Sequence, residues 1–200
     1  QAAGYDVSIV TNDTGKLKDI DALGLKTINL PMKRSNKKLG EELKVFKFLY
    51  DLYNSEKPDV VHHVGLKTIL WGALAAKLVR VKGVVNAVSG LGIFFSEDNK
   101  SLVAKVLLKV LKWSHNRKNL LVIFQNDEDK DMFLKHSIIR KEQAKYIKGS
   151  GVNLEQFCFT SEPTESKIKV LMTARMIVEK GVFVLTEAAE KLRQKYEDKV

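Results

Sequence analysis

The feature that most constrains this chain is an alternation of short β-rich runs with helix-patterned stretches. Tyr5–Thr11, Lys26–Leu30, Pro58–Val64, Gly83–Val88, Leu120–Gln125 and Ala144–Lys148 read as strands. Between them, Glu41–Ser55 places Leu43, Phe46, Leu49, Tyr50 and Tyr53 at helical spacing. Thr68–Val79, Ser101–Lys118 and Asp127–Lys135 read as further helices. Alternating elements of this kind predict an α/β fold, a parallel sheet with helices on both faces. The crossovers are expected to be right-handed.

The alternation is interrupted once. Asn153 to Ser166 is rich in polar and turn-forming residues and reads as a linker. Beyond it, Ile168–Thr173 predicts a strand and Gly181–Tyr196 a helix with Val182, Leu185, Ala188, Ala189 and Leu192 on one face. The expected organisation is a first domain over 1–152, a linker over 153–166 and the start of a second domain over 167–200. A single β-α unit cannot cover both faces of a sheet, so the second domain is expected to be incomplete. Gln1–Gly4 resembles the last turn of a helix closed by glycine. A doubly wound sheet places its first strand centrally. That strand is expected upstream of Gln1, leaving a vacant position in the first sheet.

Composition narrows the function classes. The chain has 200 residues, 44% hydrophobic and 29% charged, which suits globular domains. No apolar run reaches the length of a membrane span. The single cysteine, Cys158, excludes an internal disulfide and a multi-cysteine metal site, and fits a reducing compartment. The net charge of +10 points to nucleic acid, an anionic membrane or a phosphorylated substrate. The charge concentrates in Lys33–Lys47 and Lys100–Lys118. No nucleic-acid-binding motif accompanies these stretches, and aromatic residues do not interleave with them as stacking platforms. A nucleic-acid partner is therefore disfavoured.

The segment Lys169-Val170-Leu171-Met172-Thr173-Ala174-Arg175-Met176-Ile177-Val178-Glu179-Lys180-Gly181 carries the most specific chemistry. A strand would deliver Arg175 to its carboxyl end, and Lys180 would sit just before a helix. Ligands bind at the carboxyl edge of parallel sheets, and helix N-termini favour anions. A bidentate Arg beside a Lys point charge makes a diphosphate clamp; two solvated surface cations are the competing reading.

This segment resembles the strand-(Gly)-Arg-x-x-x-x-Lys-Gly-helix pattern of the family-4 retaining glycosyltransferases, with Ala174 in place of the usual Gly. Pro58-Asp59-Val60-Val61-His62 before the Gly/Ala-rich Gly72–Leu78 resembles another part of that family. So does Gly149-Ser150-Gly151-Val152-Asn153-Leu154-Glu155-Gln156-Phe157, with Asn153 in place of Asp. Ser89-Gly90-Leu91-Gly92-Ile93-Phe94-Phe95 and Phe124-Gln125-Asn126 are similar to its surface-polysaccharide branch, which extends undecaprenyl-diphosphate-linked sugars.

The resemblance implies a GT-B architecture of two Rossmann-like domains. It implies that Arg175 and Lys180 contact the donor diphosphate, cationic side chains standing where other enzymes use a metal. No metal and no cofactor is expected beyond the nucleoside-diphosphate sugar as donor substrate. The expected acceptor is a lipid-linked saccharide, met in the cytoplasm at the inner face of the membrane. Many members place a His after the strand occupied here by Gly83–Val88; Ser89 and Gly90 stand there instead, so no catalytic residue is assigned.

The candidate cleft or acceptor residues are Ser89, Gly90, Gly92, Lys67, His63, Asn126 and Ser150. Adjacent His62 and His63 point to opposite strand faces and cannot form a two-His metal site by themselves. Lys105, Lys109 and Lys112 share one helix face, either as solvated surface or as a contact with an anionic membrane. A non-catalytic nucleotide-sugar-binding protein of the same architecture is the alternative to a transferase.

Overall fold

A computed structural model of the chain describes residues 3–32, 39–90, 102–149, 151–161 and 169–196. They divide into two compact units, Gln1–Gly151 and Val152–Val200. The first contains β1 (Ser8–Thr11), α1 (Leu17–Asp21), β2 (Lys26–Asn29), α2 (Leu39–Glu56), β3 (Val60–Val64) and α3 (Leu66–Leu78). It continues with β4 (Gly83–Val88), α4 (Leu102–His115), β5 (Leu120–Phe124), α5 (Asp127–Lys135) and β6 (Ala144–Tyr146). The short helix α1, with no buried residue, has no apolar stripe to announce it in the sequence.

Every strand pairing is parallel. The strands β3-β4-β5-β6 form one sheet in chain order, and β1-β2 form a separate pair. Among the described residues, the six strands thus do not make one continuous sheet. This break is what a vacant strand position would produce. In β4, Val84, Asn86 and Val88 are buried, and in β5 Leu120, Val122 and Phe124. Alternate residues of both strands therefore build the core, as period-two geometry requires. Helix α3 is buried along most of its length through Ile69, Leu70, Trp71, Ala73, Ala75 and Ala76.

A polar chain crosses this core. The Tyr53 hydroxyl of α2 meets His63 Nε2 at 2.9 Å, and His63 Nδ1 of β3 meets Asn86 Oδ1 at 2.7 Å. Asn86 Nδ2 of β4 meets His115 Nε2 at 2.9 Å, and His115 Nδ1 of α4 meets the Leu111 carbonyl at 2.9 Å. The direction follows from that last group. A carbonyl only accepts, so His115 Nδ1 carries the proton and its Nε2 accepts from the Asn86 amide. The Asn86 oxygen then accepts from His63 Nδ1–H, and His63 Nε2 accepts from Tyr53. Both histidines are thereby neutral and fully bonded. Burial pushes each down to about 4, against the opposing pull of their hydrogen bonds to Asn86 and Leu111. Burial also raises the Tyr53 pKa, which keeps its donor proton in place.

In the second unit, residues 169–173 pair with no strand among the described residues, so the expected strand is absent as a ladder element. A strand takes its hydrogen bonds from a neighbour, and a single segment has none to offer itself. A 3₁₀ turn, Val178–Lys180, leads through Gly181 to α6 (Val182–Tyr196). None of the residues of α6 is buried; Val182 and Leu192 are half-buried, while Leu185, Ala188 and Ala189 of the expected apolar face are exposed. The expected linker also holds local order. Asn153 Oδ1 accepts from the amides of Glu155 at 2.9 Å and Gln156 at 3.2 Å, which closes a turn over 153–157.

Candidate active site

In the larger sheet, the carboxyl ends of the strands gather Gly65, Ser89, Asn126 and the segment after Tyr146 along one edge. Gly65 has φ 86°, and a Cβ added there would lie 3.8 Å from Ser89 Oγ. This brings the ends of β3 and β4 together and opens α3 directly from the sheet edge. No side chain caps α3; the Thr68 hydroxyl instead turns back to the Val64 carbonyl at 2.5 Å and that of Gly65 at 2.8 Å. Gly90, at φ 125°, is exposed and has no heavy atom within 4 Å of a Cβ position. Among the described residues, the edge is therefore open to backbone approach at Gly90.

Lys67, in the first turn of α3, lies at this edge in an ion pair with Glu42 Oε1 of α2 at 2.5 Å. The other Glu42 oxygen accepts from Trp71 Nε1 at 2.7 Å. Glu42 holds Lys67 in place and was missed by sequence reasoning, since nothing in the α2 pattern separates it from other solvent-facing acids. His63 does not line the edge. It is 5% exposed, bonded through both ring nitrogens in the core chain, and packed against Gly72. Its candidate role at the acceptor is thus corrected to a core role; His62 is the exposed member of the pair. Asn126 serves as the N-cap of α5, its oxygen accepting from the Asp129 amide at 2.7 Å. That contact is a sufficient structural reason for Asn at this position. Gly92 and Ser150 lie outside the described residues.

Arg175 and Lys180 belong to the second unit and are both exposed. The Ile177 amide donates to the Arg175 carbonyl at 2.8 Å, and the Lys180 amide to the Ile177 carbonyl at 3.0 Å. Those bonds compact the loop and place Lys180 one residue before Gly181. Gly181 is left-handed at φ 76°, and its carbonyl accepts from the Leu185 amide at 3.0 Å, starting α6. A side chain at 181 would be strained, which accounts for the Lys-Gly pair. Lys105 and Lys109 are exposed on α4 and Lys112 is half-buried. Among the described residues, no group of three or more His, Cys, Asp or Glu side chains is placed to hold a metal ion.

An open parallel sheet whose strands are followed by helices, with glycine turns at its carboxyl edge, defines an α/β protein of the Rossmann-like kind. Residues 1–126 match the model of the family described as "Glycosyl transferase 4-like", and the chain belongs to that family. It is similar to the UDP-Gal:alpha-D-GlcNAc-diphosphoundecaprenol alpha-1,3-galactosyltransferase of Escherichia coli, 27% identical over 196 residues. That match covers 93% of this chain and 50% of the relative. A second relative is the N,N'-diacetylbacillosaminyl-diphospho-undecaprenol alpha-1,3-N-acetylgalactosaminyltransferase of Campylobacter jejuni subsp. jejuni serotype O:2. It is 29% identical over 196 residues, covering 91% of this chain and 51% of the relative. The chain thus spans about half the length of these curated relatives.

Proposed function

We propose that the protein containing this chain is a retaining glycosyltransferase of surface-polysaccharide synthesis. It moves a hexosyl or hexosaminyl group from a nucleoside-diphosphate sugar to a lipid-linked saccharide at the inner face of the membrane. The observation that carries this reading is the Arg175–Gly181 loop, which sets an exposed Lys180 immediately before a left-handed glycine and the start of α6. Arg175 lies one compact loop upstream. As the glycosidic bond breaks, charge grows on the departing diphosphate. Preorganised cations and the free amides of a helix start stabilise that charge without a metal. The activities named for both relatives, on undecaprenyl-diphosphate-linked sugars, support the acceptor class.

At the carboxyl edge of the first unit, Ser89, Gly90, the start of α3 and Lys67 form the acceptor side in this reading. Lys67, neutralised by Glu42, positions the edge rather than presenting a lone cation. The test is steady-state kinetics of the full-length protein with Arg175→Ala and Lys180→Ala. Loss of turnover supports the clamp; turnover near that of the parent removes it.

A further inference from the structure

Two helices open at the carboxyl edge of the larger sheet with opposite charges near their starts. Helix α3 begins there at Leu66, directly after β3. Helix α2 ends at Glu56, just before β3 begins, so its other end, at Leu39, lies at the carboxyl edge too. Glu42 of α2 and Lys67 of α3 meet there at 2.5 Å. The two side chains keep 15% and 27% of their surface exposed, so a ligand at the edge can touch both. The Trp71 indole, itself buried, donates to the second Glu42 oxygen at 2.7 Å and packs against Phe46 with ring centroids 6.2 Å apart. That bond fixes the carboxylate and, through it, the ammonium. Stability alone does not account for the pair. Both helices already enter one apolar core, through Val45 and Leu49 of α2 and Ile69 and Leu70 of α3. An ion pair adds little where packing already holds its elements together.

The chemistry of the pair selects what it can bind. It is charge-balanced, so a diphosphate would approach an ammonium and a carboxylate together. Asp127, Glu128 and Asp129 in the first turn of α5 add further carboxylates at this edge. A sugar hydroxyl has no such conflict, because it both accepts and donates. One hydroxyl can accept from Lys67 while its ring neighbour donates to Glu42. Each Glu42 oxygen holds a further lone pair beyond its bond to Lys67 or Trp71. The close spacing of Lys67 Nζ and Glu42 Oε1 suits two hydroxyls on adjacent ring carbons.

We infer that the Lys67–Glu42 pair takes two neighbouring hydroxyls of the acceptor's sugar, Lys67 donating to one and Glu42 accepting from the other, and that it does not hold the acceptor's diphosphate. The inference rests on the transferase reading and deepens it: the start of α3 recognises the sugar that receives the new bond.

The test is acceptor kinetics of the full-length protein at saturating donor, with a panel of prenyl-diphosphate-linked hexoses and hexosamines. Glu42→Gln removes the counter-charge of Lys67. A diphosphate held at Lys67 would then bind more tightly, and the acceptor KM would fall. Hydroxyls held by the pair lose their charged acceptor instead, and a rise of about tenfold or more is expected, the scale of one hydrogen bond to a charged group. Lys67→Met is expected to raise the acceptor KM on the same scale and to leave the donor KM unchanged.

The sugar is then varied through analogues lacking one hydroxyl at a time. They are read by KM or, where the missing hydroxyl receives the new bond, by inhibition constant. Two neighbouring hydroxyls are expected to matter in the parent and to lose their effect in Lys67→Met, a coupling that a merely structural pair would not show. Replacing the diphosphate by a monophosphate is expected to leave the ratio of Lys67→Met to parent unchanged. Circular dichroism checks that the variants fold, and the analogue series on the parent decides the matter even if Glu42→Gln does not. An acceptor KM lowered or unmoved by Glu42→Gln overturns the inference. So does a parent indifferent to every neighbouring pair of hydroxyls, additivity of Lys67→Met with every analogue, or a Lys67→Met effect that vanishes with the monophosphate. No transfer by the parent to any member of the panel fails the transferase reading and this inference together. Transfer by the parent with any of the contrary outcomes fails this inference alone.

Discussion

Arg175 and Lys180 differ in what each can offer a diphosphate. Arg presents a fork that matches two oxygens; Lys presents a point charge. Contacts to the leaving group strengthen as it departs, so losing one lowers the catalytic constant more than it raises the donor Michaelis constant. In the full-length protein, Arg175→Ala is expected to cost about 3 to 4 kcal/mol of transition-state stabilisation, the scale of one preorganised donor. Arg175→Lys is expected to recover part of it. A solvated surface cation would cost under about 0.5 kcal/mol. Steady-state kinetics separates these outcomes. At this scale the turn that sets Lys180 just before Gly181 was legible in the Arg-x-x-x-x-Lys-Gly spacing, because it is local, whereas the strand expected to deliver Arg175 is not formed among the described residues. It was not legible at Glu42 and Lys67, whose pairing depends on α2 meeting α3.

At the scale of elements, Gly72 shows why the Gly/Ala-rich segment of α3 has its composition. A Cβ at 72 would lie 2.5 Å from both Cδ2 and Nε2 of the His63 ring. That ring is fixed by Tyr53 and Asn86 and cannot step aside without breaking bonds. Gly72→Ala is therefore expected to destabilise the first unit by about 1 to 3 kcal/mol of overpacking, although Ala is the better helix former by about 1 kcal/mol. Thermal unfolding checks this. In a His63→Ala background the clash is gone, and the same change is expected to turn neutral or stabilising. The strand and helix order was legible because period two and period 3.6 are local signals. The core chain was not, since Tyr53, His63, Asn86 and His115 come from four elements and share no spacing. For that reason His63 reads as a cleft candidate in the sequence, while the structure places it in the core. The strand expected from Ile168 was a local signal without its condition, a neighbouring strand.

At the scale of the whole molecule, the two units differ in how much they bury. The first has a continuous apolar core running from Leu30 to Ile139. In the second, Phe159 is 92% and Leu171 89% exposed, and α6 has no buried residue. Local opening is easiest where few apolar contacts oppose it. Limited proteolysis of the chain is expected to remove the region after Gly151 first and leave a resistant fragment close to 1–151. Equal cleavage in both units would contradict this.

The buried histidines make stability a function of pH for the whole first unit, because their chain ties α2, β3, β4 and α4 together. Both are neutral in the fold and pushed down to about 4, whereas an unfolded chain protonates them near the usual 6.5. The unfolded state therefore binds more protons as pH falls below 6.5, and stability falls with it. The contribution is full above 6.5 and is lost as pH falls to about 4. Lowering pH from 6.5 to 5 is expected to cost about 2 kcal/mol for each histidine. The Asp59 carboxyl, held low by its hydrogen bond from Lys82, titrates below this window and does not mimic the effect. Urea unfolding at several pH values measures the slope. Replacing His115 with Gln, a non-titrating amide, is expected to halve that slope even if it lowers stability at neutral pH. A slope unaffected by His115→Gln would show that the core chain does not govern the acid response.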